Sequence, residues 1–198
     1  MTDEEEVRDL YERAWTQHGA TAEGMGWASA EEQANRFRLI AEQLDRGASP
    51  LSILDVGCGD GKFYIFLYTG YNQFRYTGVD QNKAALDHAK KVKVRDGDYT
   101  PNYILGEFLT LPALPSTYDY CVASGTLNYY NIDRQFQIVR KMWDLCRVGV
   151  VFNSRDVGYI TLRSWAHMFK AEEWMMRGGY IPNSTEITAA FWKVPYPR

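Results

Sequence analysis

No apolar run in this 198-residue chain approaches the roughly 20 residues that a helix needs to cross a bilayer. Basic clusters are equally scarce: 22 Lys and Arg stand against 25 Asp and Glu, a formal charge of -3. That balance offers no electrostatic footprint for a phosphate backbone and disfavours nucleic acid as a partner. Three cysteines, Cys58, Cys121 and Cys146, are odd in number, far apart, and set among apolar or glycine neighbours. They have neither disulfide-frame nor zinc spacing and read as reduced packing residues. His18, His88 and His167 are dispersed and form no ligand pair, so no metal is expected. The opening Met-Thr-Asp-Glu-Glu-Glu is acidic where a secretory leader would be basic, which points to the cytoplasm and to no membrane partner.

What is present fits one ordinary soluble domain with a full core, and no linker or repeat divides it. Val7, Leu10, Tyr11, Ala14 and Trp15 share a helix face, and Thr2 with Glu5 has the form of a capping box. Three glycines between His18 and Trp27 then break the period. Ser29 and Glu32 open a second helix with Phe37, Ile40, Ala41 and Leu44 inside, ended by Gly47 and Pro50.

From Leu51 the pattern alternates. Strands are predicted at Ser52 to Val56, Tyr76 to Val79, Tyr103 to Leu105, Tyr118 to Ala123 and Val148 to Phe152. Helices are predicted from Lys62 to Gly70, from Asn82 to about Lys93, and with Ile132, Phe136, Val139 and Trp143 on one face; a proline-bearing connection runs through Pro112 and Pro115. A further helical spacing joins Trp165, Met168 and Phe169 and continues through Trp174 and Met175. After a turn at Pro182-Asn183-Ser184, Glu186 to Val194 reads as an antiparallel final strand. Alternation over most of the chain means an α/β sandwich with a largely parallel sheet.

The chain turns on Ile53 to Phe63, where an apolar strand delivers Asp55 to a loop containing Gly57, Gly59 and Gly61, after which a helix begins. That order forms a nucleotide cradle, although a strand-to-helix turn without a ligand has the same outline. A dinucleotide loop, G-x-G-x-x-G, needs a glycine where Lys62 stands. The chain has D-x-G-x-G-x-G instead, with a carboxylate ahead of the glycines that can accept from an ammonium group or orient the loop.

These residues resemble motif I of the class I S-adenosylmethionine-dependent methyltransferases. Tyr-Thr-Gly-Val-Asp, ending at Asp80, is similar to the acidic strand end that takes the ribose hydroxyls; a carboxylate capping the next helix is the alternative. Gly106-Glu107-Phe108 resembles the family's Gly-Asp-Phe, in which the acid takes the adenine amino group, with Glu here one methylene longer. Tyr118 to Asn128 resembles motif IV beside the transferable methyl group, without the Asn/Asp-Pro-Pro-Tyr of nucleobase amine methylation. With Gly26-Trp27-Ala28-Ser29 and Gln33 to Phe37 upstream, the chain is similar to a subgroup of small stand-alone methyltransferases.

The resemblance implies a three-layer α/β/α sandwich whose seven-stranded, mostly parallel sheet has order 3-2-1-4-5-7-6 and an antiparallel C-terminal strand. It implies one domain, 1–198, in which a helical segment, 1–50, covers the cofactor on a Rossmann-like core, 51–198. S-adenosylmethionine is the implied cofactor, and Trp27, Gln33, Arg36, Asp55, Gly57, Cys58, Gly59, Gly61, Asp80, Gln81, Glu107, Phe108 and Ser124 are its implied contacts. Gln33 or Arg36 would reach the methionine carboxylate, while Arg36 also reads as a solvated helix position beside Phe37.

Candidates that position or deprotonate the acceptor are Asn128, Tyr129 and Asn153 foremost, then Tyr130, Asp156 and His167. Trp165, Phe169, Trp174 and Tyr180 are either core or an aromatic acceptor pocket. The expected activity is methyl transfer to an oxygen or nitrogen of a small molecule. A tRNA or protein methyltransferase and a non-catalytic cofactor-binding module are the alternatives; oligomeric state is not legible.

Overall fold

The computed structural model describes residues 3–44, 50–70, 74–92, 100–112, 114, 118–155, 157–178 and 186–193. Helices α1 (Asp3–His18) and α2 (Ala30–Ala41) flank a 3-10 turn at Glu23–Met25. The core then alternates β1 (Leu51–Val56), α3 (Lys62–Gly70), β2 (Phe74–Asp80), α4 (Lys83–Ala89), β3 (Asn102–Leu105) and β4 (Tyr118–Ala123). A short 3-10 turn, Thr126–Tyr129, leads to α5 (Ile132–Leu145), β5 (Cys146–Ser154), α6 (Tyr159–Phe169), β6 (Glu173–Gly178) and β7 (Ile187–Trp192).

The seven strands form one sheet in the order β3-β2-β1-β4-β5-β7-β6. The first five run parallel, and β7 lies antiparallel between β5 and β6. In β1, Leu54 and Val56 face one apolar core with α5 and α6, while Leu51 and Ile53 face another with α2 and α3. Burial on both faces explains why the strand reads as a continuous apolar run. The expected sandwich and strand order are therefore observed.

Ser29 caps α2 by accepting the Glu32 amide at 3.1 Å, and Glu32 reaches back to the Ala28 amide at 2.9 Å. Asn82, not Asp80, is the cap of α4, accepting from the Ala85 amide at 3.1 Å. The buried face of α5 is turned by about one residue from the expected one. Gln135, Ile138, Val139, Met142 and Trp143 are buried, and Ile132 is 41% exposed.

One element differs from expectation: Trp174 and Met175 do not continue α6 but lie on β6. The helix stops because Lys170 takes the left-handed conformation, with φ 54, and closes a Schellman motif. Its amide donates to His167 O at 3.1 Å, and that of Ala171 to Ala166 O at 2.9 Å. Thr2, Gly47, Pro115, Asp156, Tyr180 and the turn at 182–184 lie outside the described residues. No helix among the described residues is long and apolar enough to cross a membrane.

Candidate active site

At the carboxyl end of the central strands, the glycine loop is stitched to β2. The amides of Gly57 and Cys58 both donate to Val79 O, at 2.8 and 3.1 Å, and the Gly59 amide donates to Asp80 Oδ2 at 2.7 Å. Asp80 Oδ1 accepts from the Asn82 amide at 2.7 Å. Gly57 and Gly59 have φ of 75 and 53, a region that disfavours a side chain. A Cβ on Gly57 would lie 2.0 Å from Thr126 Oγ1, and one on Gly59 would lie 2.2 Å from Met25 Cε. The loop is thus wedged between the segment after β4 and the N-terminal segment.

Of the expected contacts, Trp27, Gln33, Asp55, Gly57, Cys58, Gly59, Asp80, Gln81, Glu107, Phe108 and Ser124 line one cleft above this loop. Two do not. Gly61 packs away from the cleft, where a Cβ would lie 2.5 Å from the Tyr103 hydroxyl. Arg36 is buried behind the cleft between the carboxylates of Glu32 and Glu186, with its guanidinium 4.9 Å from the centre of the Trp27 ring. It is therefore not a solvated helix position.

Asp55 is buried on the cleft floor. Tyr76 Oη donates to its Oδ2 at 2.5 Å, and its Oδ1 has no hydrogen-bond partner among the described residues. Burial lifts its pKa to about 7; the Tyr76 hydroxyl opposes that shift and the nearby Asp80 carboxylate adds to it. Burial raises Asp80 as well, against the amides of Asn82 and Gly59. The Cys58 thiol is pushed well above its ordinary value by burial, then by Asp80 and Asp55, and is held as an inert thiol.

Glu107 accepts from Arg134 Nη2 at 3.1 Å on one oxygen and from the Thr110 amide at 2.8 Å on the other. Beside it, Phe108 and Ile138 give the cleft an apolar wall. Ser124 Oγ donates to Asn153 Oδ1 at 3.3 Å, and Asn153 Nδ2 donates to Thr188 Oγ1 at 2.7 Å. Asn153 is thus buried one layer behind Ser124. Asn128 Nδ2 donates to Glu186 Oε2 at 3.4 Å, and the ring of Tyr129 meets that of Tyr11 edge-on at 5.3 Å. Asn128, Tyr129 and Asn153 surround the cleft without lining it, whereas Tyr130 lines it.

The cleft also takes Arg8, Tyr11, Met25, Phe37, Asp60, Lys62, Thr126 and Ile138. Tyr11 and Phe37 were legible only as the inner faces of their helices, because periodicity does not say what an inner face meets. Trp165 and Phe169 are core residues, and His167 is exposed on α6. Among the described residues no group of three or more His, Cys, Asp or Glu could hold a metal ion.

Residues 53–149 match a family model described as a methyltransferase domain. That stretch belongs to the methyltransferase-domain family. A zebrafish protein named EEF1A lysine methyltransferase 2 is 26% identical over 141 residues, 70% of this chain and 58% of the relative, so the chain spans little more than half of that protein.

Two solved structures show the same fold. Magnesium protoporphyrin IX methyltransferase from Synechocystis with bound S-adenosylmethionine superposes with a TM-score of 0.67 at 14% identity, covering 82% of this chain and 79% of the other. The N-methyltransferase NodS from Bradyrhizobium japonicum, in complex with S-adenosylhomocysteine, gives 0.65 at 17% identity, covering 93% and 96%.

The residues of this cleft fit the S-adenosylmethionine that the first of those two structures holds. Asp55 Oδ1 is a buried acceptor lacking a donor, Asp80 offers further lone pairs at the strand end, and Phe108 with Ile138 offers a surface to a flat base.

Proposed function

We propose that the protein transfers a methyl group from S-adenosylmethionine to an oxygen or nitrogen of a small-molecule acceptor. The observation that carries this reading is the unpartnered Asp55 Oδ1 on the floor of a cleft roofed by Tyr11, Met25 and Trp27 of the N-terminal segment. When bound, the cofactor supplies a methyl carbon made electrophilic by the adjoining sulfonium. Asp55 would hold an ammonium group, Asp80 a ribose diol, and Glu107 with Phe108 an adenine. Gln33, which lines the cleft, is favoured over the doubly paired Arg36 for a methionine carboxylate. Residues 1–50 would act as the cover of a single domain whose core is 51–198.

On the acceptor side, Ser124 and Tyr130 face the cleft, backed by Asn153, Asn128 and Tyr129. A roof of three side chains favours an acceptor that enters the cleft over one recognised on an open surface. Isothermal titration with S-adenosylhomocysteine tests the cofactor end; no binding at millimolar ligand sinks the reading. Incubation with methyl-labelled cofactor and fractionated extract tests the acceptor end, with label expected in the small-molecule pool.

A protein lysine acceptor is the second reading, favoured by the zebrafish relative. Label in the protein fraction would select it, and label in RNA would overturn both. Tight product binding with no label in any fraction would indicate a binding module without turnover.

A further inference from the structure

Three residues of α5, Arg134, Ile138 and Lys141, stand at i, i+4 and i+7 and so share one face of the helix. That face packs against the loop 106–111 which follows β3. Ile138 lines the cleft itself, while the two cations act on the loop from behind. Arg134 Nη2 lies 3.1 Å from Glu107 Oε1. Lys141 Nζ donates to three carbonyls of the loop: Phe108 O at 2.7 Å, Leu109 O at 3.2 Å and Leu111 O at 3.0 Å. The same ammonium sits 5.0 Å from the centre of the Phe108 ring.

An ammonium has three donors, and here all three are used on one short loop. Lys141 therefore has no proton to offer a ligand, and its effect on the cleft is exerted through the backbone it holds. The rest of the loop is equally closed. The Gly106 amide donates to Asp80 O at 2.9 Å, the Leu111 amide to Glu107 O at 3.1 Å, and the Thr110 amide to Glu107 Oε2 at 2.8 Å. Each oxygen of the Glu107 carboxylate is thereby held by one donor, and what it presents to a base edge is an acceptor.

We propose that Lys141 is a specificity-determining positioning residue, which holds loop 106–111 so that Glu107 accepts from a 6-amino purine and rejects a 6-oxo purine. The inference rests on the proposed role of Glu107 toward adenine. A 6-oxo base sets a carbonyl oxygen against the carboxylate, but it also carries an N1–H donor one atom away. A loop free to slide by about that distance, roughly 2–3 Å between neighbouring polar atoms of a base edge, would recover a hydrogen bond from N1–H. A loop fixed by three carbonyl bonds does not slide, so discrimination depends on Lys141 although it touches no ligand.

The test is titration calorimetry of the full chain with S-adenosylhomocysteine and with S-inosylhomocysteine, its 6-oxo counterpart. The wild-type protein should prefer the adenosyl compound by about tenfold or more, the scale of one charge-assisted hydrogen bond. In Lys141→Met that ratio should fall to within about twofold, through weaker adenosyl binding together with tighter inosyl binding by way of N1–H.

Arg134→Met, which frees Glu107 while leaving the three carbonyl bonds in place, should lower the ratio as well. Lys141→Gln, whose shorter side chain cannot make all three carbonyl bonds, carries the test if circular dichroism shows Lys141→Met to be unfolded, and its ratio should fall likewise. Equal weakening of both ligands in these variants, with the ratio kept, overturns the inference by giving the cations a purely structural role. A wild-type ratio near one overturns it while leaving the cofactor reading intact. Failure of the wild type to bind S-adenosylhomocysteine removes both.

Discussion

The Asp80 carboxylate accepts the Gly59 amide at 2.7 Å, which joins the end of β2 to the middle of the glycine loop after β1. Because the other oxygen of Asp80 holds the Asn82 amide at the start of α4, one side chain ties together the loop, the strand end and the next helix. With the ribose role proposed for Asp80, ligand affinity and local order would be coupled at this residue. Asp80→Ala should weaken S-adenosylhomocysteine binding by at least about a hundredfold, since it strands two amides as well as removing the acceptor. Unchanged affinity by calorimetry would refute this.

The raised pKa of Asp55 gives a pH dependence whose sign can be worked out. Its folded value, about 7, lies above the roughly 3.9 of an unfolded chain, so folding favours the protonated form. The stabilisation is complete below about pH 4 and is lost as pH rises through 7, by about 4 kcal/mol in all. Thermal melts of the ligand-free protein from pH 5 to 8 should show this decline, and Asp55→Asn should flatten it. S-adenosylhomocysteine, which brings an ammonium to the ionised form, should bind more weakly at pH 6 than at pH 8.

Gly57 combines a φ of 75 with a neighbour 2.0 Å from where a Cβ would stand. Gly57→Ala therefore pays about 1–2 kcal/mol for backbone strain alone and displaces Thr126, whose hydroxyl bonds Val56 O at 2.9 Å. Urea denaturation should register a loss above that figure. Adding Thr126→Gly should recover the steric part and leave the strain.

Gln33 and Arg36 stand one helical turn apart on α2 with different surroundings. Gln33→Ala should lower S-adenosylhomocysteine affinity about tenfold with little change in melting temperature. Arg36→Met should destabilise the fold by about 3–5 kcal/mol, because Glu32 and Glu186 would keep buried carboxylates without their shared partner. The opposite pattern would return the carboxylate-binding role to Arg36.

The glycine cradle was legible because its chemistry is local: an acid, three glycines and a helix start within a few residues specify a loop whatever surrounds it. Strand β4 was read to the residue for a similar reason, since its apolar run ends at Ser124 and Gly125. The end of α6 was not legible, since a lysine occupies the left-handed cap position where glycine gives the stop signal, and the aromatic spacing runs on across it.

Tyr11, Ile138 and Lys141 show a different limit. Each sits on a helix whose periodicity marks an inner side, but only the docking of that helix decides whether the inner side meets core, cleft or loop. Arg36 neither lines the cleft nor stands solvated, and that was not legible because its partner Glu186 lies 150 residues away in the chain.

The reversed direction of β7 places Glu186, just before its first residue, at the edge where the parallel strands end. A parallel strand in that slot would have brought its last residues there instead. Substitution at Glu186 can therefore alter what surrounds Asn128 and Arg155 without disturbing the stitching between β1 and β2. The polar contacts around Glu186 and the stitching of the glycine loop are thus carried by stretches of chain more than a hundred residues apart, so that mutation can alter one while the other stays fixed.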